Sequence, residues 1–209
     1  MISPKKIKIF AIDDERDILY ALRAVGDAMG WDVYTETNSL NAWRQYKAIN
    51  PDLILVDYHM PQQDGLITVK QLRRLDRQIP IIVLTVDDNQ AVADRFLDAG
   101  ASDFANKPIK VPDLAARIKI HIRLLQKQRE LGAGCKVTKG INEYTLQLIY
   151  DYCRTHDGWF TIEEVADQVG LAYQTTVRYL RYLQTQKELV VVSDYGEVGR
   201  PRNKYKMAN

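Results

Sequence analysis

The stretch DLILVDYHMPQQDG at residues 52–65 decides the fold. Its first half is an unbroken aliphatic run of strand length. A run without alternation signals a strand covered on both faces, which favours a parallel sheet sandwiched between helices. Its second half breaks on Pro61 and Asp64-Gly65, turn chemistry that opens a helical pattern with Leu66, Val69, Leu72 and Leu75 on one face. The same alternation extends outward. KIKIFAI (6–12) precedes a helical pattern on Ile18, Leu22 and Val25, IIVLTV (81–86) forms a further apolar run, and SDFAN (102–106) a weaker fifth strand. Strand and helix in alternation point to an α/β, doubly wound, five-stranded parallel sheet.

In such a sheet ligands bind beyond the carboxyl ends of the strands. Asp13 and Asp14 follow the first strand here, Asp57 the third, Thr85 closes the fourth, and Lys107-Pro108 follows the fifth. Any one of these reads equally as a helix cap or a turn residue. The ordered set, with Met60-Pro61 and Asp64-Gly65 after Asp57, resembles the receiver domain of two-component response regulators. That resemblance implies a flavodoxin-like fold with Asp57 as the phosphorylated residue. It also implies Mg²⁺ held by Asp13, Asp14, Asp57 and the backbone carbonyl of His59. Thr85 and Lys107 would bind the phosphoryl oxygens, and Phe104 stands where receivers carry a switch aromatic, although it also reads as an ordinary core residue. A cis Lys107–Pro108 bond is implied as well. Three carboxylates within about 5 Å repel by roughly 3 kcal/mol per pair at an effective dielectric near 20, which a hard divalent cation offsets. Val86 departs from the small residue common after the switch threonine and narrows the approach to the site. His59 and Asp87 occupy positions that tune hydrolysis in the family, with His59 read as a solvent-facing modulator.

Composition bounds the rest. At 209 residues, 46% hydrophobic and 27% charged, the chain accommodates one ordinary domain and a small one. The N-terminus has the pattern of neither a secretory signal nor a membrane span, and Cys135 and Cys153 have no metal or redox spacing, so a cytoplasmic protein is expected. The net charge of +2 conceals sorting by segment. Six acids face Arg154 alone between Glu143 and Asp167, whereas 171–187 and 198–209 together hold seven basic residues and no acid.

The expected organisation is a receiver over 1–127, a helix extension and linker over 128–140, and a winged helix-turn-helix over 141–209. Leu114, Ile118, Ile122 and Leu125 form the stripe of a last receiver helix, continuing toward Leu131, and LGAGCKVTKG (131–140) has linker glycines. Beyond it, one helix follows Asn142 with Leu146, Ile149 and Tyr150 inward, and Thr161-Ile-Glu-Glu164 is a capping box for a second. Gly170 supplies the turn into a third helix, 173–187, with Val177, Leu180, Leu183 and Gln184 as its core stripe. LVVVSDY (189–195) and RPRNKYK (200–206) form a hairpin. GINEYTLQLI, FTIEEVADQVGLA and YGEVGRPRNKY resemble the output domains of citrate and C4-dicarboxylate response regulators, the CitB type.

Together these features imply a transcription regulator rather than an enzyme. A sensor histidine kinase phosphorylates it, it binds double-stranded promoter DNA, with carboxylate-metabolism genes as candidate targets, and phosphorylation promotes a homodimer through the fourth helix, fifth strand and fifth helix. Gln174, Thr175, Arg178, Arg181 and Tyr182 are candidates for base edges, and Arg200, Arg202 and Lys204 for phosphates. Arg178 could instead pair with the acidic helices that precede it. A protein-binding switch is the competing reading, and salt-dependent DNA binding separates the two.

Overall fold

A computed structural model describes residues 6–61, 63–130, 141–194 and 202–208, without the side chains of 128–130, 194 and 202. Its N-terminal part alternates β1 (Lys8–Ile12), α1 (Arg16–Met29), β2 (Asp32–Glu36), α2 (Ala42–Ile49), β3 (Leu53–Asp57), α3 (Gly65–Leu75), β4 (Ile81–Thr85), α4 (Gln90–Ala99), β5 (Asp103–Asn106) and α5 (Val111–Glu130). The sheet order is β2-β1-β3-β4-β5, every pair parallel. All five residues of β3 and of β4 are buried, as their unbroken aliphatic runs require, while the edge strand β2 is half-exposed. Two apolar layers flank the sheet. One packs Val69, Leu72, Phe96 and Leu97 from α3 and α4 against it, and the other packs Leu19, Leu22, Leu114 and Ile118 from α1 and α5. Because the chain winds from β1 to β2 on one side and then to β3 on the other, the sheet has its switch point at the carboxyl ends of β1 and β3.

Local chemistry fixes the element ends. Asp64 caps α3 by accepting from the Leu66 N–H, and Asn89 caps α4 by accepting from the Ala91 N–H. Gly65 has a steric role. A Cβ there would lie 2.3 Å from the backbone oxygen of Asp57, so only glycine lets the loop pass this close to the end of β3.

The C-terminal part comprises α6 (Glu143–Thr155), α7 (Ile162–Val169), α8 (Tyr173–Thr185) and an antiparallel hairpin of β6 (Leu189–Asp194) and β7 (Arg202–Met207). Asn142 caps α6, and Thr161 and Glu164 form the expected capping box on α7. Ile149, Phe160, Val165, Val177, Leu180 and Leu183 close a third core. Gln184 departs from the expected stripe. It is exposed, whereas Tyr179 on the same helix is buried, and its hydroxyl accepts the backbone N–H of Asn142 at 2.9 Å. The expected linker (131–140), the hairpin turn and Arg200 lie outside the described residues.

Candidate functional site

At the switch point Asp13 and Asp14 leave β1, and Asp57 ends β3. Their carboxylates offer oxygens that all lie within 4.8 Å of one another, with Asp13 and Asp57 buried and Asp14 half-buried. Lys107, brought over by β5, places Nζ 2.8 Å from Oδ1 of Asp57 and 2.9 Å from Oδ2 of Asp13. The peptide bond after it, to Pro108, is cis. Glu15 also reaches Lys107, at 3.3 Å. The sequence does not mark it, because an acid at the start of a helix looks like an ordinary first-turn residue.

Burial pushes the carboxyl pKa values of Asp13 and Asp57 up, and hydrogen bonds from Lys107 only partly offset this. Burial works to lower Lys107, but its bonds to Asp57 and Asp13 outweigh that and raise it above its ordinary value. Three acids, Asp13, Glu15 and Asp57, therefore share one ammonium. Three crowded hard-oxygen donors with excess negative charge are the donor set that suits Mg²⁺.

Thr85 is buried at the end of β4, and its hydroxyl accepts the Asp87 N–H at 2.9 Å. Phe104 is buried and meets the Phe96 ring edge-on at 6.3 Å. His59 is exposed and stacks on Tyr58 at 4.0 Å. Val86 is also exposed, which places it at the rim of the acidic cluster's face rather than in the core.

The residues expected to face DNA divide into two groups. Arg181 is exposed and Tyr182 half-buried, and Lys204 lies half-buried on β7; Arg202 is placed by its backbone only. Gln174, Thr175 and Arg178 are not open. These three candidates for base edges are packed on the receiver part in this arrangement. Thr175 donates to Oδ1 of Asp103 at 2.6 Å, and Gln174 donates to the Asp88 carbonyl at 3.3 Å. Arg178 donates to Oδ1 of Asp98 at 2.6 Å and to the Asp94 carbonyl at 3.3 Å. These partners sit on α4, 80 and 84 residues away in the chain.

Asp103 anchors this junction. It is fully buried, and burial disfavours its charge, yet the bond and charge of His121, the charge of Arg117 and the Thr175 hydroxyl hold its carboxyl below the usual range. No helix among the described residues is long and apolar enough to cross a membrane.

Comparison with known proteins agrees with this geometry. Residues 9–119 match the response regulator receiver domain family. A probable C4-dicarboxylate response regulator, DctR, of Priestia megaterium is 32% identical over 186 residues, covering 81% of this chain and 82% of that one. Its counterpart in Halalkalibacterium halodurans is 31% identical over 179 residues, covering 77% and 78%. The crystal structure of a putative response regulator from Chloroflexus aurantiacus superposes with a TM-score of 0.54 at 26% identity, covering 57% of this chain and 99% of that one. The family match takes in more than half of the chain, and the likeness to the first two relatives continues past the receiver. The chain belongs to the response regulators.

Proposed function

We propose that this protein is a phosphorylation-controlled transcription regulator, in which a receiver (1–127) governs a winged helix-turn-helix (141–209) that binds promoter DNA. The observation that carries the receiver half is the Asp13, Asp14 and Asp57 cluster with Lys107 held against it. Asp13, Asp14, Asp57 and the His59 carbonyl would hold Mg²⁺, which when bound supplies positive charge to the phosphoryl oxygens. A carboxylate oxygen of Asp57 attacks the phosphorus of a phosphohistidine on a sensor kinase. The new O–P bond forms as the P–N bond breaks, and the imidazole leaves with the electron pair and takes up a proton. Lys107 is already within hydrogen-bond reach of Asp57 and keeps its charge, so it pairs with the phosphoryl group as it arrives. The Thr85 hydroxyl exchanges the Asp87 N–H for a phosphoryl oxygen, and Phe104 follows into the space Thr85 leaves.

The DNA-binding half rests on the two acid-free basic segments falling on α8 and the hairpin of one small unit. Gln174, Thr175, Arg178, Arg181 and Tyr182 read base edges, while Arg200, Arg202 and Lys204 contact phosphates. The α4–β5–α5 face mediates self-association of the phosphorylated form. The relatives' names suggest carboxylate-metabolism genes as targets. The deciding experiment treats the chain with acetyl phosphate, with and without Mg²⁺, and follows an acid-labile phosphoryl adduct by mass spectrometry. Asp57→Ala is expected to abolish the adduct; an undiminished adduct would overturn the assignment.

A further inference from the structure

We infer that a basic cleft at the C-terminal end of α3, at the other end of the sheet from Asp57, binds the diphosphate group of a small anion, either free or carried by a nucleotide.

Both α3 and α4 return from the carboxyl ends of the strands, so their last turns meet at the end of the sheet opposite the acidic cluster. They border a cleft of about 590 Å³ there, with Asn142 and Tyr179 of the C-terminal part as its far wall. Lys70, Arg73, Arg74 and Arg77 all line it. The first three stand at i, i+3 and i+4 on one face of α3, and Arg77 follows the end of the helix. The helix dipole favours cations in the last turn, which accounts for Arg73 and Arg74. It does not account for Lys70 a turn earlier or for Arg77 beyond the helix, and like charges at these spacings repel.

Neighbouring acids do not relieve that repulsion. Asp98, the acid among the described lining residues, is held by Arg178 at 2.6 Å. Asp76 lies between Arg74 and Arg77 in the chain, but its carboxylate accepts the Tyr46 hydroxyl at 2.8 Å and the N–H groups of Gln78 and Ile79 at 2.7 and 3.0 Å. Lys70, Arg74 and Arg77 are exposed and make no ion pair among the described residues. Arg73 is fixed instead. Its Nε and Nη2 donate to the Gly100 carbonyl at 3.0 and 2.6 Å, and its Nη1 donates to the Asp76 carbonyl at 3.2 Å. Gly100 makes the room, since a Cβ there would lie 2.7 Å from Cγ of Arg73. Burial moves the Arg73 pKa down to about 10, so an anion beside it would offset the lost hydration. The cleft therefore combines one preset guanidinium, with N–H groups of its fork still unengaged, and three cations without a counter-charge.

The ligand class follows from that set. Side chains at i, i+3 and i+4 have Cβ atoms about 5–6 Å apart, so their heads converge on anionic oxygens close together, as within a diphosphate. The concavity is walled on its far side by Asn142 and Tyr179, which admits a small molecule and not the width of a duplex.

The test uses the full chain in a chelator, so that no Mg²⁺ draws phosphate to Asp57, and at about 0.1 M salt, which screens distant charges. Binding of pyrophosphate, ADP, succinate and sulfate is measured by titration calorimetry. Pyrophosphate or ADP is expected to saturate a single site and to bind at least tenfold more tightly than succinate or sulfate. Tighter ADP assigns the nucleotide as the source, and tighter pyrophosphate the free anion. Lys70→Gln with Arg74→Gln alters exposed positions with a good helix former, and should weaken binding at least tenfold without lowering the melting temperature. Lys70→Arg, and Lys47→Gln on α2, should bind as the parent does. Equal affinity for succinate or sulfate would overturn the diphosphate assignment, as would a double variant that binds undiminished. Absence of saturable pyrophosphate and ADP binding, with the double variant losing salt-dependent affinity for a random duplex, would make the cluster a DNA-backbone surface and also overturn the proposal.

Discussion

Replacing Gly65 by alanine isolates the contact that holds the acceptor strand. An added Cβ would sit 2.3 Å from the Asp57 oxygen and 3.0 Å from both Cα and the oxygen of Tyr58. These are backbone atoms, so no side chain can rotate away, and relief requires the α3 N-terminus to move off the end of β3. Overpacking of this kind costs about 2 kcal/mol. For a unit of this size that lowers the melting temperature by roughly 8 °C. The nearest crowded atom belongs to the acceptor residue itself and the other two to the residue after it, so phosphorylation by acetyl phosphate should slow by more than the loss of folded protein accounts for. Gly30→Ala is the control. Its φ of +70 costs an alanine about 1 kcal/mol, but nothing lies within 4 Å of the new Cβ, and it closes α1 away from the acids. Calorimetry paired with the rate of adduct formation at a temperature where both variants are folded checks this. Equal phosphorylation rates in the two variants would refute the coupling between Gly65 and Asp57.

Three further outcomes are expected. Lys107→Met leaves buried Asp13 and Asp57 without a counter-charge, so it should lose about 3 kcal/mol in a chelator and regain most of it in millimolar Mg²⁺, read by denaturant unfolding. The Cys153 thiol is buried and pushed up to about 12, so in a Cys135→Ser background it should resist thiol reagents at pH 8 until the protein unfolds. With its folded pKa above the unfolded value of 9.0, its contribution to stability is full below pH 9 and falls as pH rises toward 12, which a pH series of melting curves follows. Phe160→Ala removes a fully buried ring from the third core and should cost about 3–5 kcal/mol, with the loss seen in hydrogen exchange across α6–α8 before β1–β5.

What was legible in the sequence follows from the range over which each signal acts. Buried strands announce themselves locally, because β3 and β4 are covered on both faces and need apolar residues at every position. No such run marks β2, an edge strand reading DVYTE with one face half in water, and periodicity alone does not find it. The acidic cluster was legible because strand ends are marked by the strands themselves, and a parallel sheet gathers those ends. Glu15 joins that cluster through side-chain length, which spacing does not encode. The largest gap is the junction. Charge sorting identified α8 as basic, but the acids that neutralise it lie 80 residues earlier on α4, where they read as an ordinary solvated helix face. Asp103 hides more completely, since an acid between Ser102 and Phe104 lowers the strand signal of SDFAN without disclosing a purpose. Only the assembled structure shows why a buried carboxylate persists there. Arg117 and His121 stabilise it from within the receiver, and its remaining oxygen is left for the uncapped end of a helix in the other unit. Replacing Asp103 alone would leave the buried His121 and half-buried Arg117 without their partner, so the receiver core needs the carboxylate as well. Asp103 thus joins the two units, its Oδ2 held within the receiver and its Oδ1 bonded to the start of α8.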